Sequence, residues 1–140
     1  MARCRATRAN PGLAATYKIS EGPTLGAIVE AHKATNLGVE RKINDWGLTL
    51  TWPIGQGDIR ANYERDSGIK GDPVVSAGDS RSTHWAVGYA YHISKRTELY
   101  AQYAKITNGP QAHDDFDAGV GGVANGASPK GFALGIIHYY

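Results

Sequence analysis

The sequence predicts an all-β fold of about seven meandering antiparallel strands, and three observations carry that prediction. Segments in which apolar and polar residues alternate, each bounded by turn residues, occur seven times. Eighteen Gly and eight Tyr, against one Met and two Phe, suit strands and tight turns better than a helical bundle rich in Leu, Ala and Glu. The last nine residues, Phe132 to Tyr140, keep a two-residue period to the end of the chain, where a terminus is ordinarily frayed and polar.

The first strand is expected from Leu13 to Ile19, with Leu13, Ala15, Tyr17 and Ile19 on its apolar face, and Ser20-Glu21-Gly22-Pro23 turns it. The second runs from Thr24 to Lys33 and sets Leu25, Ala27, Val29 and Ala31 against Gly26, Ile28, Glu30 and His32. A loop is expected from Ala34 to Arg41. The third strand alternates most cleanly, with Trp46, Leu48, Leu50 and Trp52 against Gly47, Thr49 and Thr51, and Pro53 to Gly57 reads as its turn. The fourth, Asp58 to Glu64, places Ile59, Ala61 and Tyr63 opposite Arg60, Asn62 and Glu64, and Arg65 to Ser82 reads as a long loop. The fifth, Thr83 to Ile93, sets Trp85, Val87, Tyr89 and Tyr91 against His84, Ala86, Gly88, Ala90 and His92. After Ser94-Lys95-Arg96 comes the sixth, Thr97 to Lys105, then a Gly-rich loop to Lys130 and the closing strand.

Expected connections therefore alternate, short at Glu21, long at Leu37, short at Gly55, long near Gly71, short at Lys95 and long near Gly121. Transmembrane β-barrels have two such unlike ends, with short periplasmic turns and long outer loops. No apolar run approaches the roughly 18 residues of a membrane-spanning helix. The net charge is only +2, and Arg3, Arg5 and Arg8 supply much of the positive charge from a segment, residues 1–11, read as a disordered basic tail ahead of a β-segment over 12–140. No aromatic residues interleave with those arginines, so nucleic-acid binding is not expected. Met1 to Asn10 lacks the apolar stretch of about 7–15 residues that an export signal needs. Cys4 stands alone and forms neither an internal disulfide nor a chelating pair.

Alternation does not by itself say whether the apolar face meets lipid or a protein core, because a soluble β-sandwich or small barrel binding an apolar ligand has the same period. Two features favour lipid. The polar faces are rich in Gly, Ala and Thr, which suit a crowded, curved wall better than a water-exposed sheet. Trp46 and Trp52 lie six residues apart, roughly 20 Å at about 3.3 Å per residue, which approaches an apolar band of about 25 Å flanked by aromatic girdles. Tyr17, Trp46, Trp52, Tyr63, Trp85, Tyr91, Tyr103 and Tyr140 are the girdle candidates.

Tyr91-His92-Ile93-Ser94-Lys95-Arg96-Thr97-Glu98-Leu99-Tyr100-Ala101-Gln102-Tyr103 resembles the penultimate hairpin of general porins of Gram-negative bacteria, especially the neisserial and burkholderial type. Ala133 to Tyr140 is similar to the last strand of that family, with His138 at a typical position and Tyr140 where Phe is usual. The resemblance covers nearly the whole chain after about Gly12. It implies a sixteen-stranded, homotrimeric channel of the cell outer membrane, in contact with its lipid, passing small hydrophilic solutes and ions by passive diffusion. It also implies that the outward residues of the closing strand, Phe132, Leu134, Ile136, His138 and Tyr140, are read by the barrel-assembly machinery. Bacterial single-chain barrels use even strand numbers, so about seven strands read as the C-terminal part of such a barrel. A truncated porin without transport activity is the corresponding alternative.

If the polar faces line a lumen, the wall candidates are Lys18, Glu30, His32, Arg60, Asn62, Glu64, His84, Glu98 and Gln102. Arg60 is the foremost selectivity candidate, with pairing to Glu64 or Glu98 as its structural reading. No catalytic constellation appears, so no enzyme, cofactor or metal is expected. His84 and His92 share a face but lie roughly 26 Å apart along a strand. Asp114, Asp115 and Asp117 lack the ligand spacing of a calcium loop and read as a solvated outer loop. Gly119 to Ala124 matches a dinucleotide fingerprint by letters, but no strand leads into it and no helix follows.

Overall fold

In the computed structural model, residues 7–36, 39–116 and 122–140 are described, and they form a single antiparallel sheet. Its strands are β1 (Thr7–Ala9), β2 (Gly12–Lys18), β3 (Thr24–Asn36), β4 (Val39–Ile54), β5 (Gly57–Asp66), β6 (Ser82–Ser94), β7 (Thr97–Asn108) and β8 (Lys130–His138). β1 and β2 lie end to end along the same edge of β3, and from β3 to β8 each strand pairs with the next in sequence. Seven strand positions result, as the alternation predicts. Arg3, Arg5, Cys4, Asp117 and the start of the Gly119 to Ala124 run lie outside the described residues. Of the segment expected as tail, Thr7–Ala9 is strand, paired with Lys33, Ala34 and Thr35.

The largest difference from the expected pattern is at the second hairpin. β3 continues to Asn36 and β4 begins at Val39, with Asn36 opposite Val39, so only residues 37–38 separate strands where a loop from Ala34 to Arg41 was expected. The long connection expected at Leu37 is therefore a two-residue one. Trp46 accordingly sits in the middle of β4, not near its end. The residues responsible, among them Lys33, Glu40, Arg41 and Lys42, are polar on both faces. A hairpin that rises beyond an apolar layer has no face to bury, so periodicity cannot mark it. The same end carries the two long connections, residues 67–81 and 109–129, so the two ends of the sheet remain unlike.

Smaller boundary shifts have local causes. Pro53 and Ile54 belong to β4 and pair with Asp58 and Gly57, leaving Gly55 and Gln56 as the turn, with Gly55 at φ 61°. β3 has already ended at Thr24, opposite Thr51, so the N–H that Pro53 lacks interrupts no ladder on that side. Ile19 leaves the first strand for the turn, where its carbonyl accepts from Gly22 N–H at 2.6 Å. β8 ends at His138, and the Tyr140 ring lies edge-on to His138 at 5.1 Å.

Register fixes the faces. Each antiparallel pair puts directly opposed residues on the same side, and Tyr17, Leu25, Leu50, Ala61, Val87, Tyr103 and Phe132 form one continuous row across the sheet. The row Lys18, Thr24, Thr51, Arg60, Gly88, Gln102 and Ala133 does the same on the other side. No second sheet covers the apolar row among the described residues. Leu13 is 77% exposed, Leu134 72% and Ile136 64%, and among the described residues the only buried apolar side chains are Ala86, Ala90, Ile106 and Ala112. A soluble sandwich would bury the residues that are bare here.

Candidate functional site: the polar wall and its two charge clusters

All nine wall candidates lie on the polar side of the sheet. Lys18, Arg60 and Gln102 share one row, Glu64 faces His84 across β5 and β6, and Glu98 faces His92 across β6 and β7. Asn62 occupies the row between Thr49 and Ala86. Small residues surround these groups, and the Tyr100 ring lies over Gly135, where a Cβ would meet it at 2.5 Å. The aromatic side chain thus covers the backbone that glycine leaves bare.

At the short-turn end the geometry decides what Arg60 does. Its Nη1 and Nη2 donate to Oε1 and Oε2 of Glu98, both at 2.8 Å, a parallel two-bond fork. Its Nε donates to Asp58 at 2.5 Å. Of the two partners expected for Arg60, Glu98 is bound and Glu64 is not, and Asp58 is a further partner that was not expected. His92 joins the same cluster, with Nε2 at 2.5 Å from Asp58 and Nδ1 at 3.6 Å from Glu98. The available signal was the two-residue period, which places Asp58 beside Arg60 on the same face.

At the long-loop end a second cluster ties a loop to the wall. Ser82 Oγ lies between the carboxylates of Asp66 and Asp114. His84 Nε2 is 3.0 Å from Ser82 Oγ and 3.5 Å from Asp114. Asn108 Nδ2 donates to the carbonyls of Asp114 at 2.9 Å and Ala127 at 2.7 Å. Phe116 reaches the polar side of Gly131. The segment after β7 therefore folds over the polar face, and Asp114 is half exposed, as a solvated loop implies, yet is hydrogen-bonded to the wall as well. Between loop and wall is a cavity of about 450 Å³ lined by acidic and histidine side chains including Asp45, Glu64, Asp66, His84 and Asp114. His32 completes this end, 3.0 Å from Asp45 and 3.8 Å from Glu30. His84 and His92 thus serve different clusters.

The hydrogen bond from His84, aided by Ser82, holds the Asp114 carboxyl below its ordinary range against the burial that would raise it. A carboxylate depressed on folding stabilises the structure above its unfolded pKa, about 3.9, and that contribution is lost as pH falls through the folded value. Protection of the backbone amides of residues 109–116 against hydrogen exchange, corrected for the intrinsic rate, should therefore hold at pH 6 and collapse below about pH 4. Asp114→Asn should abolish that step. A loop equally protected at both pH values would contradict the latch.

The aromatic side chains divide between the two ends on the apolar face. Trp46 and Tyr63 pack at 5.3 Å between centroids, Trp85 and Tyr103 at 5.4 Å, and Tyr63 lies directly opposite Trp85. These four rings cross β4 to β7 on the long-loop side. Tyr17, Trp52 and Tyr91 lie toward the short turns, where the Tyr91 hydroxyl donates to Gln56 Oε1 at 2.5 Å. Tyr89, absent from the expected girdle, stands beside them with its hydroxyl 3.4 Å from the Ile54 carbonyl.

One sheet with a bare apolar face, a polar face of small and charged residues, and unlike ends defines a stretch of transmembrane β-barrel wall. The Gram-negative porin family model matches residues 5–111, and the chain belongs to that family, whose place is the outer membrane. It is 28% identical over 135 residues to the outer membrane porin protein 32 of Delftia acidovorans, covering 91% of this chain and 36% of that protein. Its fold is similar to that of the anion-selective porin from Comamonas acidovorans, with a TM-score of 0.84 and 27% identity over 96% of this chain and 40% of the other. The chain thus spans 36% to 40% of the length of these relatives.

Proposed function

We propose that this chain forms the C-terminal part of the wall of an outer-membrane diffusion channel for small hydrophilic solutes and ions, of the neisserial and burkholderial type. The observation that carries the reading is the continuous division of the sheet, row by row, into a bare apolar face and a polar face. The first faces lipid, with the aromatic rings at its two borders, and the second faces the pore. Lys18, Glu30, His32, Asn62, Glu64 and Gln102 line that pore, and the segment after β7 narrows its outer mouth. Arg60 and Glu98 serve as a cross-strand clamp.

The edge formed by β1 and β2 and the edge formed by β8 do not pair with each other. Further strands must join them before a lumen is enclosed. Three such barrels associate as a trimer, and the outward side chains Phe132, Leu134, Ile136, His138 and Tyr140 are the strand that the assembly machinery engages. Refolded into planar bilayers with the strands that complete the barrel, the protein should give discrete conductance steps that scale with salt concentration. Correctly folded barrels without such steps would overturn the reading.

A further inference from the structure

The outward face carries an unbalanced row of cations at the long-loop end, immediately beyond the aromatic rings. Lys33 stands directly opposite Lys42, Lys42 bridges to Lys70, and Lys105 stands opposite Lys130. Arg65 faces Trp46, and Lys105 faces Trp85. Like charges opposed across strands are destabilising. Among the described residues the only ion pair in this row is Lys42 Nζ to Glu40 Oε1 at 2.7 Å. Glu40 is also the only carboxylate that these strands place on this side of this end. A row of unneutralised cations bordering lipid calls for anions from outside the chain.

One concavity in the row is shaped to receive such an anion. A pocket of about 300 Å³ is lined by Trp46, Arg65, Lys70 and Arg81, with Asp66 and Gly78 also on its wall. The Asp66 carboxylate is committed elsewhere, accepting the backbone N–H groups of Gly68 and Ser82 at 2.7 Å and contacting the Ser82 hydroxyl. Arg65, Lys70 and Arg81 have no carboxylate within 4.0 Å among the described residues. Three cationic side chains around an aromatic floor offer both charge for a phosphate and a flat apolar surface for the adjoining carbon skeleton.

We infer that the pocket formed by Trp46, Arg65, Lys70 and Arg81 binds the phosphate-bearing headgroup of an outer-leaflet lipid. The inference rests on the reading that the apolar face meets lipid. Long connections lie on the outer side of such barrels, so this pocket opens at the outer headgroup level. A headgroup phosphate would neutralise the cations and anchor the long β3–β4 hairpin and the 67–81 loop against the bilayer surface.

The test uses the protein refolded, with the strands that complete the barrel, into dioleoylphosphatidylcholine vesicles, with spin-labelled phosphatidic acid or spin-labelled phosphatidylcholine as the reporter. Electron paramagnetic resonance measures the relative association of each lipid with the protein surface. The wild type should favour phosphatidic acid by roughly tenfold, as a few basic residues near a surface provide, and the preference should shrink as salt is raised. Arg65→Gln/Lys70→Gln/Arg81→Gln should lower the ratio severalfold, leaving only the part that Lys33, Lys42, Lys105 and Lys130 supply, whereas Arg65→Lys/Arg81→Lys, which keeps the charge, should retain most of it. No preference in the wild type, or an unchanged preference in the triple variant, overturns the inference and leaves the lipid-facing reading standing. Inorganic phosphate bound in neutral vesicles without a lipid preference assigns the pocket to a soluble anion and also overturns it. A protein that restricts neither spin-labelled lipid refutes the lipid-facing reading and the pocket together.

Discussion

Leu48→Arg is expected to destabilise the membrane-inserted protein by roughly 2–4 kcal/mol, the cost of an arginine on the lipid face near mid-depth of a transmembrane barrel. Asn62→Arg should cost far less. Leu48 is half exposed on the apolar face between Trp46 and Trp52, and it faces Ala27 on one side and Tyr63 on the other. Asn62 lies on the neighbouring strand one residue from Tyr63 and points to the opposite side, where it is exposed among Thr49 and Ala86. The two substitutions add the same side chain within one strand spacing of each other and differ only in which face receives it. Denaturant titration of the protein refolded in vesicles with the strands that complete the barrel, followed by tryptophan fluorescence, measures both. Equal destabilisation, or a larger loss from Asn62→Arg, would mean that the apolar row does not face lipid.

That comparison isolates what periodicity alone left open. The two-residue period of Leu48, Leu50 and Trp52 identifies a face but not its neighbour, since a sandwich core and a bilayer reward the same residues. Only the finished sheet shows that no protein covers Leu13, Leu134 or Ile136. Where the period is present, from Trp46 to Trp52 or from Trp85 to Tyr91, strand and face are readable directly. Where both faces are polar, as in Lys33 to Lys42, strand is invisible because its stability comes from backbone pairing to the opposite strand. The register from Ala31 opposite Asn44 to Asn36 opposite Val39 continues without interruption through that stretch.

The candidate site divides in the same way. Face assignment of Lys18, Arg60, Glu64 and Glu98 needs only parity within a strand. The partnership of Arg60 with Glu98 needs two strand pairings in series, since the residues are 38 apart in sequence. The tie of Asp114 to Ser82 and His84 depends on the path of a Gly-rich loop, which no period constrains. Loop chemistry of this kind emerges from the three-dimensional arrangement of Asn108, Ser82 and Ala127, none of which is distinctive in the sequence.

Glu98→Gln is expected to destabilise the protein by about 1–3 kcal/mol, the range for a hydrogen bond to a charged group, discounted because Arg60 is itself half exposed. Glu98 is only 4% exposed and receives both terminal nitrogens of Arg60, so the amide keeps its shape but loses one acceptor and the charge. Asp58 remains on Arg60 Nε, which limits the loss. Arg60→Gln should cost a similar amount, and the double variant should recover part of it if the two act as a pair. Their effects on ion preference should have opposite signs. Arg60, Asp58 and Glu98 together carry one net negative charge, so Glu98→Gln makes this trio neutral and Arg60→Gln makes it more negative. Reversal potentials across a salt gradient should shift toward anions in the first variant and toward cations in the second. Shifts of the same sign would place the cluster outside the permeation path, and the clamp would then be a device for holding β5 to β7 alone.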